Sequence, residues 1–182
     1  MQAFSQFFEG RSVFVTGHTG FKGAWLSLWL TLLGAKVTGF SLAPPSTPSL
    51  FEATGLARHM DHVHGDIRDR AALKAALVRS QASVVFHLAA QALVLPAYRS
   101  PLETVEVNVL GSANVLEAVR ETESVSTLVC VTSDKCYENR EQVWGYRECD
   151  PLGGHDPYSA SKGAMEILCS SWARSFFQPE GR

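Results

Sequence analysis

No cluster of lysine or arginine occurs in these 182 residues, and sixteen basic side chains against eighteen acidic ones leave a formal charge of −2. The chain is therefore not built to follow a nucleic-acid backbone or an anionic membrane, and any anion it binds must be met locally. Cysteine is scarce. Cys130, Cys136, Cys149 and Cys169 form no C-x-x-C pair, which removes zinc-ribbon and dithiol frameworks and indicates free thiols in a reducing cytoplasm. The start, M-Q-A-F-S-Q-F-F, has neither the basic residues nor the long apolar core of a secretory signal. Long hydrophobic runs are missing too. The longest, Ala24 to Leu33, is about half a membrane span and is broken by Ser27 and Thr31, so it reads as a buried helix. His62, His64, His87 and His155 lack the spacing of metal ligands and read as structural. No internal repeat, low-complexity segment or domain boundary is found. What remains is 46% hydrophobic, enough for one domain with a real core.

The stretch that organises the rest is Val13 to Gly23, V-F-V-T-G-H-T-G-F-K-G. A β-branched and aromatic run leads into three glycines spaced three apart, then into an apolar helical pattern from Ala24. Gly17 is expected to turn the chain sharply, Gly20 to leave room for a pyrophosphate, and Gly23 to let the helix lie close on the sheet. The free amides and positive end of that helix then face the anion. In the helix, Trp25, Leu28, Trp29 and Leu32 form one apolar stripe and Leu26, Leu30 and Leu33 a second, which predicts cover on both sides.

Strands are expected at Ser12–Thr16, Lys36–Ser41, His62–Gly65, Ser83–Leu88 and Ser126–Val131. Asp69 is a plausible cap for a helix through Leu73, Ala76 and Leu77, and Asp156-Pro157 for one from Tyr158 to about Phe177. Ser100, Pro101 and Glu103 read as a capping box opening a helix to about Glu121, with Val105, Val109, Leu116 and Val119 as its buried stripe. Pro44 to Pro48 reads as an exposed loop, either a linker or a substrate-facing segment. This alternation predicts an α/β fold, a doubly wound parallel sheet with ligands at the carboxyl ends of its strands. The acid that often ends the second strand and holds a ribose is missing, since the positions read Phe40, Ser41, Leu42. NAD and NADP both stay open on that ground.

Two places carry chemistry. Tyr158 and Lys162 are four apart and share a helix face, and Ser133 closes the neighbouring strand. A free tyrosine titrates at about 10, but an adjacent ammonium and a positively charged nicotinamide both favour the phenolate, which makes an acid/base. Asp134 and Lys135 follow directly. They exceed what hydride transfer needs, and read either as a second proton-transfer pair or as a structural ion pair.

T-G-H-T-G-F-K-G with W-L-S-L-W-L, P-S-L-F-E, F-H-L-A-A-Q, N-V-L-G-S, V-T-S-D-K-C-Y-E-N-R-E and P-L-G-G-H-D-P-Y-S-A-S-K together resemble the CDP-glucose 4,6-dehydratase family of extended short-chain dehydrogenases/reductases. The resemblance spans nearly the whole chain and implies a Rossmann-like NAD-binding domain over residues 1–182. It implies dehydration of CDP-glucose by an internal redox cycle of bound NAD, with Tyr158, Lys162 and Ser133 serving oxidation at C4. Asp134 would protonate the leaving C6 hydroxyl, and Lys135 would act at C5 as a base or as an electrostatic stabiliser. Lys135 is the discriminating residue, because related dTDP-glucose dehydratases generally carry an acid there. Carried over, the resemblance puts Gly17, Gly20, Phe21, Lys22 and Gly23 at the cofactor phosphates, His18 near the adenosine ribose and Asp66 and Ile67 at the adenine. Ala89, Ala90 and Gln91 fall along the ribose, and Asn108, Thr132, Tyr158 and Lys162 complete the cofactor-facing set, with Asn108 in a supporting position. A homodimer through the Ser100 and Tyr158 helices is also implied.

Two departures stand out. Leu95 and Ala97 occupy positions where the family usually has arginine and serine, which weakens the expected substrate contacts. The family also continues into further sheet and a C-terminal substrate lobe, so the sequence reads as truncated before that lobe. Another dehydratase or epimerase of the superfamily, or a non-catalytic NAD-binding fragment, are the competing readings.

Overall fold

Val13, Phe14 and Val15 are all buried although successive side chains of a strand point to opposite faces, so β1 (Ser12–Thr16) is covered on both sides. The computed structural model, which describes residues 6–177, shows what covers it. β1 lies at the centre of a parallel sheet with β2 (Lys36–Ser41), β3 (Asp61–His64), β4 (Val84–His87) and β5 (Thr127–Cys130), in the order β3-β2-β1-β4-β5. Phe14 faces one layer with Phe40 and Val85, packed against Leu73 and Leu77 of α3 (Arg70–Ser80) and Val115 and Val119 of α6 (Ser112–Arg120). Val13 and Val15 face the other, with Val37, Val84 and Leu30 of α1 (Phe21–Leu32). Each such side chain contributes about 1.5–3 kcal/mol by leaving water. The doubly wound parallel sheet expected from the alternation is present.

The register Thr16↔Phe40 and Thr16↔His87 brings β1, β2 and β4 to one carboxyl edge, the rim to which the glycine turn belongs. Several elements differ from the sequence reading. α1 opens at Phe21, a turn earlier than expected, and its Trp25, Trp29 and Leu32 form an exposed face; Gly23, Ala24, Ser27 and Leu30 are the buried one. Small residues are what let this helix approach the turn and sheet, so the largest side chains point outward. Two short helices were not expected. α2 (Leu50–Ala53) is opened by Ser49, whose hydroxyl accepts from the Glu52 amide at 3.2 Å and donates to the Glu52 carboxylate at 2.9 Å. α4 (Val94–Arg99) precedes the Ser100 helix, which is itself not uniform.

That helix runs as α5 (Pro101–Val105), a π-helical segment Glu106–Gly111, and α6. The Ser100 side chain makes no cap; instead its carbonyl accepts from both the Thr104 amide and hydroxyl at 3.1 Å. The π segment also shifts the helical phase. Val105 is exposed while Thr104, Asn108 and Gly111 are buried, so the expected apolar stripe holds only at Leu116 and Val119. α7 (Pro157–Trp172) is capped by Asp156 as expected, with the Ser159 amide donating to its carboxylate at 3.0 Å, and ends in a π turn Ala173–Phe177. The proline-rich segment 44–48 is an exposed loop. Among the described residues, no helix is long and apolar enough to cross a membrane.

Candidate active site

Gly17 has φ +77°, a left-handed conformation, and a Cβ there would stand 2.7 Å from the Ala89 amide nitrogen. Only glycine lets β1 turn this close to the end of β4. Thr16 fastens the contact, its Oγ1 accepting from the Leu88 and Ala89 amides at 3.2 and 3.1 Å. On the other side the Gly17 amide donates to Phe40 O at 3.0 Å, and the Thr19 hydroxyl meets Ser41 Oγ at 2.7 Å and donates to Leu42 O at 2.9 Å. Ser41, at the place where an acid was missed, thus anchors the turn. Gly20 is the N-cap of α1, where a Cβ would meet Gly17 O at 3.4 Å. The first intrahelical bond is Ala24 N to Gly20 O at 2.8 Å, which leaves the amides of Phe21, Lys22 and Gly23 at the helix's positive end. The Phe21 and Lys22 side chains are exposed. Gly23 packs on the turn that leaves the sheet, where a Cβ would meet Gly17 O at 2.1 Å.

His18 differs from its expected place. Its ring is fully buried, lies against Gly39 of β2, and pairs with His62 Nδ1 through Nε2 at 2.7 Å, with Phe51 packed edge-on. Burial, with the neighbouring His62, pulls its pKa down to about 3 against an opposing Phe40 carbonyl, so it is a neutral packing residue with no surface for a ribose. Beyond β3, Asp66 accepts from the Arg68 amide and Nε, both at 2.9 Å, and that guanidinium holds its carboxyl below the usual range. Ile67 is buried, and its carbonyl accepts from Asn114 at 3.0 Å.

A buried polar chain crosses behind the rim. His87 ends β4 at 1% exposure, with Thr16 Oγ1 2.7 Å from Nδ1 and Ser112 Oγ 3.0 Å from Nε2. Ser112 donates its one proton to Asn108 O at 2.6 Å, so it must accept from Nε2–H, and Thr16 must donate to Nδ1. The imidazole is therefore neutral with a fixed tautomer, in keeping with burial and the Lys162 charge holding its pKa to about 3. Asn108, fully buried in the π segment, accepts from the Gln91 amide at 2.8 Å and donates to Gln91 O and Ser161 Oγ, both at 2.9 Å. Ser161 in turn donates to Tyr158 O at 2.6 Å. One side chain thus ties the Ala89-Ala90-Gln91 strand end to the first turn of α7.

Tyr158 and Lys162 lie on that helix, 8% and 3% exposed. Burial pulls the Lys162 ammonium below the usual lysine range; Cys130, Cys169 and Glu166 oppose this and Lys22 adds to it. Facing α7 is the 3₁₀ turn Asp134–Cys136, capped by Ser133, whose hydroxyl accepts from the Lys135 amide at 3.2 Å and donates to Asp134 at 3.0 Å. The turn lies on the helix because two glycines let it. A Cβ on Gly154 would stand 2.1 Å from Ser159 Cβ and 3.2 Å from Lys135 O, and one on Gly163 3.1 Å from Cys136 O. Asp134 and Lys135 are exposed, and neither enters an ion pair among the described residues, which removes the structural-pair reading. Thr132 donates to Glu166 of α7, a second tie between the same two segments. Of the departures, Leu95 is exposed on α4 and Ala97 is fully buried there.

Thr16, Ser161 and Glu166 were not singled out in the sequence, and His87 was read there only as structural. The only signals were a polar residue ending each apolar strand and the spacing of Ser161 and Glu166 about Lys162. Among the described residues, no group of three or more histidine, cysteine or acidic side chains is placed to hold a metal ion.

The family model for GDP-mannose 4,6-dehydratase matches residues 14–178. CDP-glucose 4,6-dehydratase of Salmonella typhimurium is 51% identical over 173 residues, 95% of this chain and 48% of its own. CDP-paratose 2-epimerase of Salmonella typhi is 29% identical over 89% of this chain and 53% of its own. A solved UDP-glucose 4-epimerase from Stenotrophomonas maltophila, with bound NAD and formylated UDP-arabinopyranose, matches with a TM-score of 0.79 at 27% identity, over 90% of this chain and 48% of that one. The chain spans about half the length of these proteins. With the matched residues running from β1 through α7, the chain belongs to the GDP-mannose 4,6-dehydratase family.

Proposed function

We propose that this chain is the dinucleotide-binding and catalytic part of a nucleotide-sugar 4,6-dehydratase that converts CDP-glucose to CDP-4-keto-6-deoxyglucose. What carries the reading is the Ser133-Asp134-Lys135 turn seated on the helix of Tyr158 and Lys162, with the acid bonded to Ser133 and neither it nor the lysine in an ion pair among the described residues. The 51% identity to the Salmonella enzyme supports CDP-glucose as the sugar nucleotide. The residues suit NAD: a left-handed Gly17, a side-chain-free Gly20 and three amides at a helix's positive end form a cradle for a pyrophosphate. When bound, NAD supplies the hydride acceptor for C4 and the donor for C6.

In this reading Tyr158 takes the C4 hydroxyl proton, the Lys162 ammonium favours its phenolate, and Ser133 holds the alcohol in line. The C4 ketone acidifies the C5 proton. Lys135 accepts that proton if neutral, or stabilises the enolate if cationic, and Asp134 protonates the departing C6 hydroxyl so that water leaves. The test is incubation with NAD and CDP-glucose, dTDP-glucose or UDP-glucose, following the alkaline absorbance of a 4-keto product. Product from CDP-glucose alone is expected; product from another nucleotide and not from this one overturns the assignment.

The Gly17 turn and the free amides of α1 fit a second reading equally well, NAD binding without turnover. Calorimetric binding of NAD with no product from any of the three sugars would select it. Free thiols at Cys130, Cys136, Cys149 and Cys169 support a cytoplasmic setting, and exposed apolar side chains on the Pro101–Gly111 stretch and α7 support a homodimer.

A further inference from the structure

Arg68 has no part in the proposed reaction, yet the loop it belongs to is fastened at each of its residues. Asp66, Ile67 and Arg68 follow the carboxyl end of β3 and lead into α3. Ile67 is buried against Gly111 of the π-helical segment, where a Cβ would stand 2.6 Å from Ile67 Cδ1. The Ile67 carbonyl accepts from Asn114 Nδ2 at 3.0 Å, and Arg68 Nη1 reaches the Glu106 carboxylate at 3.5 Å. The segment that places Asn108 on Gln91 thus also seats this loop, and all the groups involved lie between β3 and α6.

Arg68 folds back on Asp66. The carboxylate Oδ1 accepts from the Arg68 amide at 2.9 Å, and Oδ2 accepts from Nε at 2.9 Å and from Nη2 at 2.6 Å. A carboxylate has about four lone-pair sites, so the position left is on Oδ1 and suits a single N–H donor. The guanidinium also keeps the group ionised, holding its carboxyl below the usual range although partial burial opposes this. An anion held in this way accepts and cannot donate. It favours an exocyclic amino group and repels a carbonyl oxygen.

We propose that Arg68 is the positioning residue for base recognition: it fixes Asp66 as an oriented anionic acceptor, so that the site selects a dinucleotide with a 6-amino purine over one with a 6-oxo purine. The inference deepens the proposed function and rests on it in one respect, that Asp66 lies at the adenine of bound NAD. Arg68 itself does not touch the base. Its guanidinium is directed at the Asp66 and Glu106 carboxylates, and it acts through Asp66.

Calorimetric titration of the whole chain with NAD and with nicotinamide hypoxanthine dinucleotide tests this, since the two ligands differ only at C6 of the purine. The parent should bind NAD about 10-fold more tightly, the worth of one hydrogen bond to a charged group. Arg68→Ala should bring that preference to within about 2-fold through weaker binding of NAD, Asp66→Ala should do the same, and the double variant should lose no more, because the two residues act as one unit. Binding of the 6-oxo dinucleotide no weaker than the parent's shows that the variants are folded. The proposal is overturned if Arg68→Ala keeps the parent's preference, or if it weakens both dinucleotides alike, as a guanidinium stacked on either base requires. A parent that binds both dinucleotides equally well keeps the NAD reading and sinks this inference; a parent that binds neither sinks both.

Discussion

A neutral imidazole at position 87 is the hinge of the buried chain from Thr16 to Asn108, and it gives the fold a defined response to acid. His18 and His87 both have folded pKa values drawn down to about 3, whereas in the unfolded chain each titrates at about 6.5. Between those values the unfolded state holds the extra proton, so stability is full above about pH 6.5 and falls as pH drops toward 3, by about 1.4 kcal/mol per pH unit for each histidine. Urea unfolding at pH 7 and pH 5 should show the loss, and His87→Gln should flatten the slope. Asn108 is the other sensitive residue. Its replacement by alanine strands the Gln91 amide, the Gln91 carbonyl and Ser161 in a buried site, and should cost about 3 kcal/mol in a denaturant titration. A loss below about 0.5 kcal/mol, the scale of an ordinary surface change, would mean that water replaces the amide at no cost.

At the scale of elements, the decisive contact is the 3₁₀ turn on α7. Gly154→Ala would place a methyl group 2.1 Å from Ser159 Cβ, so the turn or the helix cap must shift, and a displacement of that order at a catalytic group costs about 100-fold in rate. Dinucleotide affinity should fall less, because the Gly17 turn and the α1 amides that cradle the pyrophosphate belong to other elements, while only Tyr158 and Lys162 of the cofactor-facing set stand on the shifted helix. Equal losses in NAD affinity and in formation of the 4-keto product would instead mean that the variant disturbs the whole fold. The same elements show what a sequence can and cannot reveal. The glycine turn, the five strands and the Asp156 cap were legible because each depends on residues adjacent in the chain. The π segment was not, since Val105 and Val109 fit an ordinary helical period and only the burial of Thr104 and Asn108 shows the phase shift. The inward turn of His18 was equally hidden, because it depends on Gly39 and His62 from two other strands. Tyr158 and Lys162 could be paired from their spacing, but their link to Gln91 runs through Ser161 and Asn108, far apart in sequence.

For the molecule as a whole, the apolar surface left uncovered is informative about assembly. Leu102 is 77% exposed, Leu110 58% and Ile167 59%, on a stretch of helix and on α7 that pack against each other. Scattered apolar residues on a surface are ordinary, but several on adjoining helices point to a shared contact, and in a two-fold pair the same helices meet their own copies. A charge at the centre of such a contact would have to be buried without a partner, whereas on a free surface it would cost nothing. Leu110→Arg should therefore abolish dimers in sedimentation velocity at all concentrations while leaving unfolding within about 0.5 kcal/mol of the parent, because the side chain takes no part in the core. If the variant sediments as a dimer, the contact lies on another face, and the exposed Trp25 and Trp29 side of α1, on the opposite layer of the sheet, becomes the surface to alter next.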